Sequence, residues 1–196
     1  MRGTARCLSK IFGIKINVQM VVHWVKIAGK IVEKEVDARK AEQTSQPKAM
    51  LPVVEMDALE TFIKKNPRTN RATGEWQGKL TRIWTAGDRN AGDLCEFEVG
   101  DGTLSPYLKM AFRIEKQYII EHLCTDGNRV YRCYKFANQH HVSKSATCLV
   151  ESWHGRLRHY LARLHRKTLC YSKSIEALKT AVRLLLNKEI ALSVFV

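Results

Sequence analysis

Three of the nineteen acidic residues, Asp57, Asp126 and Glu151, sit where an acid needs a reason. Carboxylate oxygens are ligands for Mg²⁺, and two such ions a few ångströms apart can activate an attacking oxygen and stabilise a leaving one in phosphodiester displacement. Asp57 lies inside the strand-like VVEMDALETF, where an acid on a buried face must be paired or metal-bound; on a solvated edge it needs neither. Asp126 precedes Gly127-Asn128 and reads equally as a turn residue. Glu151 stands among bases at a helix start, where the helix dipole favours a carboxylate whatever its function. Spacing alone does not single these three out, because Glu55, Glu60, Asp88, Asp93, Asp101, Glu115 and Glu121 occupy the same stretch. Asp88 and Asp93 bracket a hairpin and Asp101 precedes a glycine, so these read as turn residues. His154, one helical turn beyond Glu151, shares its side and either assists a metal or phosphate or faces solvent.

Charge points to the substrate class. Thirty-three Lys and Arg against nineteen Asp and Glu leave the 196-residue chain at +14, and such a chain repels itself unless a polyanion is near. Nucleic acid is the default partner. The first 32 residues hold Arg2, Arg6, Lys10, Lys15, Lys26 and Lys30 and no acid, while residues 135–175 hold eight bases against Glu151 alone. No apolar run approaches the roughly 18 residues of a membrane span. Six cysteines without a C-x-x-C pair argue against a zinc ribbon or a thioredoxin-type redox motif and read as reduced thiols. The basic start mimics a transit peptide only in charge, being poor in serine, so the chain reads as cytoplasmic and nucleoid-associated.

The elements that must position these residues follow from periodicity. Thr4 can cap a helix through Ala5, Leu8 and Ile11, Gly13 can supply a sharp turn, and Val18, Val21, Val22 and Val25 recur at helical spacing. This predicts a helix-turn-helix over residues 1–32 whose second helix shows Lys15, Asn17, Gln19, His23 and Lys26 to DNA; a basic hairpin docked on the next domain is the alternative. Residues 33–50 read as a polar linker, and 51–196 as one domain. There, Pro52–Ile63, Lys79–Ala86 and Leu94–Val99 form an antiparallel meander around a polar loop (66–78) and a tight turn. Thr103 can cap a helix through Ile114, Tyr118–Cys124 is a buried parallel strand, and a basic helix or helix pair begins near Leu149. The order strand, strand, strand, helix, strand, helix predicts an α/β fold: a ribonuclease-H-like mixed sheet flanked by helices, with Asp57, Asp126 and Glu151 at the three places where such a core carries metal-binding acids.

The stretch LVESWHGRLRHYLARLHRKTLCYSKSIE (149–176) resembles the C-terminal signature of insertion-sequence-one family transposases, in which E-x-x-N leads into a run ending A-R-L-x-R-K-[ST]-L-x-[FY]-S-K-S. VEMD (54–57), WTAGDRNAG (84–92) and CTDG (124–127) are similar, in the same order, to that family's first catalytic Asp, hairpin and second catalytic Asp. His154 stands where E-x-x-N has Asn, and Gly87 where the hairpin strand has an apolar residue. The resemblance implies a D-D-E triad of Asp57, Asp126 and Glu151 holding Mg²⁺, with Mn²⁺ as the alternative ion. It also implies double-stranded DNA as partner, both terminal inverted repeats and target, and a homo-oligomer on DNA. Arg156, Arg158, Arg163, Arg166, Lys167 and Lys173, interleaved with His159, Tyr160 and Tyr171, read as a DNA track rather than an ordinary solvated face. A non-catalytic DNA-binding repressor or inactive remnant, and a ribonuclease or resolvase, are the competing functions.

Overall fold

The computed structural model describes residues 2–63, 79–165 and 170–193. Two compact units emerge, Met1–Arg39 with Thr180–Val196, and Lys40–Lys179. In the first, α1 (Arg2–Phe12) and α2 (Val18–Thr44) are joined by a turn in which Gly13 takes a φ of 66°, a conformation that glycine adopts without a Cβ penalty. Ser9 locks the turn, donating to the Ala5 carbonyl at 2.8 Å and accepting the Ile16 amide at 2.8 Å. Ala5, Ile16 and Val21 form a small core with Leu8, Val18 and Met20 packed on it. The helix α1 starts at Arg2, so Thr4 lies within its first turn rather than at its cap.

The helix α2 departs from the expected linker. It runs on to Thr44, because the polar stretch after Ile31 is built from Glu, Lys, Ala, Arg and Gln, all good helix formers, and Arg39 pairs with Glu35 one turn back at 3.0 Å. Polarity suggested a linker where intrinsic propensity favours a helix, and the chain leaves the helix just before Pro47.

The second unit carries the sheet. Strands β1 (Ala49–Ile63), β2 (Lys79–Asp88) and β3 (Asp93–Gly100) form the expected antiparallel meander, α3 (Leu104–Gln117) follows, and β4 (Tyr118–Thr125) pairs parallel to β1. A fifth strand, β5 (Ala137–Val142), pairs parallel to β4, giving the order β3-β2-β1-β4-β5. The sequence hides β5 because ANQHHV is a polar edge strand without the alternation that marks a half-buried one. Val54, Met56, Trp84 and Ala86 pack with Tyr107, Met110, Ala111 and Ile114 of α3 on one face of the sheet. The helix α4 (Cys148–Tyr160) packs on β1 and β2, against residues that alternate with those and so lie on the opposite face. Two further helices, α5 (Ile175–Leu186) and α6 (Lys188–Ser193), follow. Thr103 is the N-cap residue of α3, but its hydroxyl donates to the Asp101 carboxylate instead of capping. This is a mixed five-stranded sheet with flanking helices, the ribonuclease-H-like arrangement. Among the described residues, no helix is long and apolar enough to cross a membrane.

Candidate active site

Strand register brings two of the three acids to one place. Met56 on β1 is the register partner of Thr125 on β4, so Asp57 and Asp126 are the next residues at the same end of adjacent parallel strands. β1 is the central strand, so Asp57 is not on a solvated edge; its side chain is 21% exposed. Burial pushes the Asp57 carboxyl up to about 6, with Asp126 and Glu151 adding to the rise and the Ala58 amide, donating to Oδ1 at 2.7 Å, opposing it. Asp57 therefore feels the charge of both other acids. Asp126 does perform turn chemistry, accepting the Asn128 amide on Oδ1 at 2.9 Å. Glu151 is exposed in the first turn of α4 and accepts a long bond of 3.4 Å from the Thr147 hydroxyl. Among the described residues, no group of three His, Cys, Asp or Glu side chains is gathered closely enough to hold one metal ion.

His154 does not face solvent. It is 5% exposed on the buried side of α4, with Nε2 at 2.8 Å from the Thr85 hydroxyl and Nδ1 at 3.5 Å from Asp57 Oδ2. Thr85 in turn donates to the Asp57 carbonyl at 3.1 Å. Burial lowers the His154 pKa to about 4, with Arg158 adding to the shift, so the ring is neutral near pH 7.

An expected stability change follows from Asp57. Its folded pKa lies above its unfolded value, so between about 4 and 6 the native state binds more protons, and stability falls as pH rises through that window. Asp57→Asn is expected to raise the melting temperature of metal-free protein at pH 7.5, and the gain should fade as pH falls toward 4. A melting temperature that drops at pH 7.5 would contradict the crowded-carboxylate account.

A residue that sequence reasoning left among the competing acids organises this site. Glu55, 1% exposed on β1 two residues before Asp57, accepts the Arg89 guanidinium on Oε1 at 2.6 Å. Its Oε2 accepts the amides of Leu149 and Val150, at 2.8 and 3.2 Å, in the first turn of α4. Thr147, the N-cap residue, makes no side-chain cap bond, so Glu55 caps α4 from another strand. Arg89 also donates to the Ala146 carbonyl at 2.8 Å. Gly87 serves the same docking: a Cβ there would meet Leu149 Cδ2 at 3.1 Å and Val150 Cγ2 at 3.3 Å, so α4 approaches β2 where a side chain would crowd it.

The expected DNA-contacting residues divide. Gln19, His23 and Lys26 are exposed and, with Val18 and Val22, line an open hollow of about 410 Å³ on α2. Lys15 is exposed in the turn before α2. Asn17 is committed differently: its Oδ1 accepts the Met20 amide at 2.8 Å, capping α2. Arg156 is exposed, stacked 4.7 Å from the Trp153 ring centroid, and Lys173 is exposed. Arg158 is half-buried and acts electrostatically on Asp57 and His154. Arg163 is half-buried, donating to Ser172 Oγ at 3.2 Å and the Ala177 carbonyl at 3.0 Å, so it holds the segment after α4 in place. Arg166, Lys167 and the expected loop 66–78 lie outside the described residues.

The strand order and flanking helices define the class: a ribonuclease-H-like α/β protein with two acids at one end of its parallel strand pair. The IS1 transposase family matches residues 73–191, more than half of the chain, and the chain belongs to that family. It is a transposase, and DNA binding comes with that membership. No curated protein matches the chain.

Proposed function

We propose that this transposase cleaves and joins phosphodiesters at the ends of an insertion element by D-D-E chemistry, with Asp57, Asp126 and Glu151 as the metal-binding acids and Mg²⁺ or Mn²⁺ as the ion. The observation that carries the reading is the Met56–Thr125 register, which sets Asp57 beside Asp126. The raised Asp57 pKa, to which Asp126 and Glu151 add, supports it, because a crowded carboxylate is a site that a cation relieves. When bound, divalent ions would lower the pKa of the attacking water or 3′-hydroxyl and offset charge on the leaving oxygen. The chain supplies positioning: the Thr85 hydroxyl bonds the Asp57 carbonyl, Glu55 and Arg89 hold the start of α4, and exposed bases hold phosphates. In the first step water breaks the bond at the element end and frees a 3′-hydroxyl. That hydroxyl then attacks target DNA and displaces a target 3′-oxygen. Terminal inverted repeats and target DNA are the partners of a homo-oligomer, and the protein acts in the cytoplasm at the nucleoid.

The test is a strand-transfer assay on the element's own ends with Mg²⁺, in which joined products are expected. Bound but uncut ends would replace this reading with a DNA-binding repressor, and cleavage without joining would indicate a nuclease.

Salt dependence tests the basic surfaces separately. With at least six Lys or Arg displacing counterions, log affinity for duplex DNA should fall against log salt with a slope of about −5 or steeper. Replacing Arg156 and Lys173 by Ala should flatten it by about two units. An unchanged slope would make that face merely solvated.

A further inference from the structure

The two acids of the parallel strand pair are held in the same way, from opposite faces of the sheet. Thr85, the register partner of Asp57 on β2, donates its hydroxyl to the Asp57 carbonyl and lies 2.8 Å from Nε2 of His154 on α4. Thr125, the last residue of β4, donates its hydroxyl to the Asp126 carbonyl at 3.1 Å and lies 2.8 Å from Nε2 of His140 on β5. Leu123 is the register partner of His140, and residues two apart on a strand share a face, so the His140 ring and the Thr125 hydroxyl meet on one side of the sheet. That side is the side of Met56, the register partner of Thr125, away from α4. A hydroxyl as buried as that of Thr125, 0% exposed, needs partners, and the half-buried His140 supplies one from an otherwise polar edge strand. Burial lowers the His140 pKa, with Lys135, His141 and Arg132 adding to the shift, so the ring is neutral near pH 7 and brings no charge to the acid. What it can bring is geometry. The Ser143 amide donates to the Thr125 carbonyl at 3.0 Å, and the next carbonyl along, that of Asp126, is the one the Thr125 hydroxyl holds.

We propose that His140 is a positioning residue for Asp126: through the Thr125 hydroxyl it fixes the carbonyl, and so the backbone from which the Asp126 carboxylate projects, beyond the end of β4. The proposal rests on the reading of Asp126 as a reacting-site acid given above. Such a strut matters because a group carried just past a strand end is free to swing, and a misplacement of about 1 Å at a reacting centre costs about a hundredfold in rate.

The test uses the full chain and two pairs of variants. His140→Leu and Thr125→Val keep bulk and remove the polar contact, and each should slow strand transfer by about tenfold to a hundredfold with end binding unchanged. The doubly altered chain should lose no more than either single variant, because the two groups act as one strut. His140→Gln places an amide near the position of Nε2 and offers both a donor and an acceptor, so it should restore most of the rate whichever group carries the proton; Thr125→Ser should do the same. A second readout needs neither metal nor DNA. With histidine labelled with ¹⁵N, Thr125→Val should move the His140 Nε2 resonance and Thr125→Ser should return it. The Asn128 amide, which donates to Asp126 Oδ1, should exchange with solvent faster in His140→Leu than in His140→Gln. Should Thr125→Val not fold, the two His140 variants decide alone. Parental joining and parental Asn128 exchange in His140→Leu overturn the proposal. So does a loss that His140→Gln fails to restore, or one that adds in the doubly altered chain, since either marks His140 as ordinary packing. Parental joining by Asp126→Asn would instead remove the underlying reading of that acid.

Discussion

Asp57→Asn, Asp126→Asn and Glu151→Gln should each slow metal-dependent cleavage and joining by about a thousandfold or more while leaving end binding intact. Each exchange removes one negative charge at nearly constant volume, so a bound ion loses a hard oxygen ligand and the fold loses little packing. Metal stabilisation of transition-state charge is worth several kcal/mol, and each ~1.4 kcal/mol is a factor of ten in rate. Asp57 carries a second expectation that separates loss of chemistry from loss of fold: its amide variant should be slower and yet more heat-stable at pH 7.5, because it relieves a crowded, desolvated carboxylate. Asp88→Asn is the control. Asp88 Oδ1 accepts the Asn90 amide at 2.9 Å in the hairpin, away from the three acids in role, and this variant should keep most activity. Triad variants that cleave as the parent does would remove the D-D-E assignment, whatever the family.

The meander and α3 are legible because each buries one face and so writes its period into the sequence, β4 because it is a nearly continuous apolar run, and the class of fold follows from their order. Asp57 is legible as a candidate because it is an acid inside a strand-like stretch, and Asp126 because it follows a nearly continuous apolar run. What no local pattern encodes is register: that Met56 meets Thr125 is set by the whole sheet. The edge strand β5 and the extension of α2 were missed for related reasons, one having no buried face to reveal and the other being polar but helix-prone. His154 was ambiguous because one helical turn from Glu151 places it on the same side only approximately. The structure turns its ring inward, to Thr85, while Glu151 remains exposed.

Glu55 is a residue whose loss the fold should feel. Nothing in VVEMDALETF marks it above the other acids, since its partners, Arg89, Leu149 and Val150, are 34 to 95 residues away. Removing it by Glu55→Ala deprives two first-turn amides of α4 of their acceptor and leaves Arg89 without its carboxylate. Breaking a buried ion pair from one side costs about 3–5 kcal/mol, because the other charge is stranded. Here the Arg89 side chain is 43% exposed and can rehydrate, so the lower end, about 3 kcal/mol, is expected, mostly from the two amides, which lose a charged acceptor. Glu55→Gln keeps an oxygen for the amides but turns an amide toward a guanidinium, and about half that loss should result. Denaturant titration gives the total, and hydrogen exchange locates it: the Leu149 and Val150 amides should lose protection before the β1 and β4 amides do. Because Glu151 lies in that same first turn, a frayed start of α4 should also lower strand transfer in Glu55→Ala even at temperatures where the sheet is intact. A denaturation midpoint and a Leu149 exchange rate both unchanged in Glu55→Ala would mean that α4 is held by packing alone, and that this carboxylate, buried at the centre of the sheet, does not fix the helix that carries the third acid.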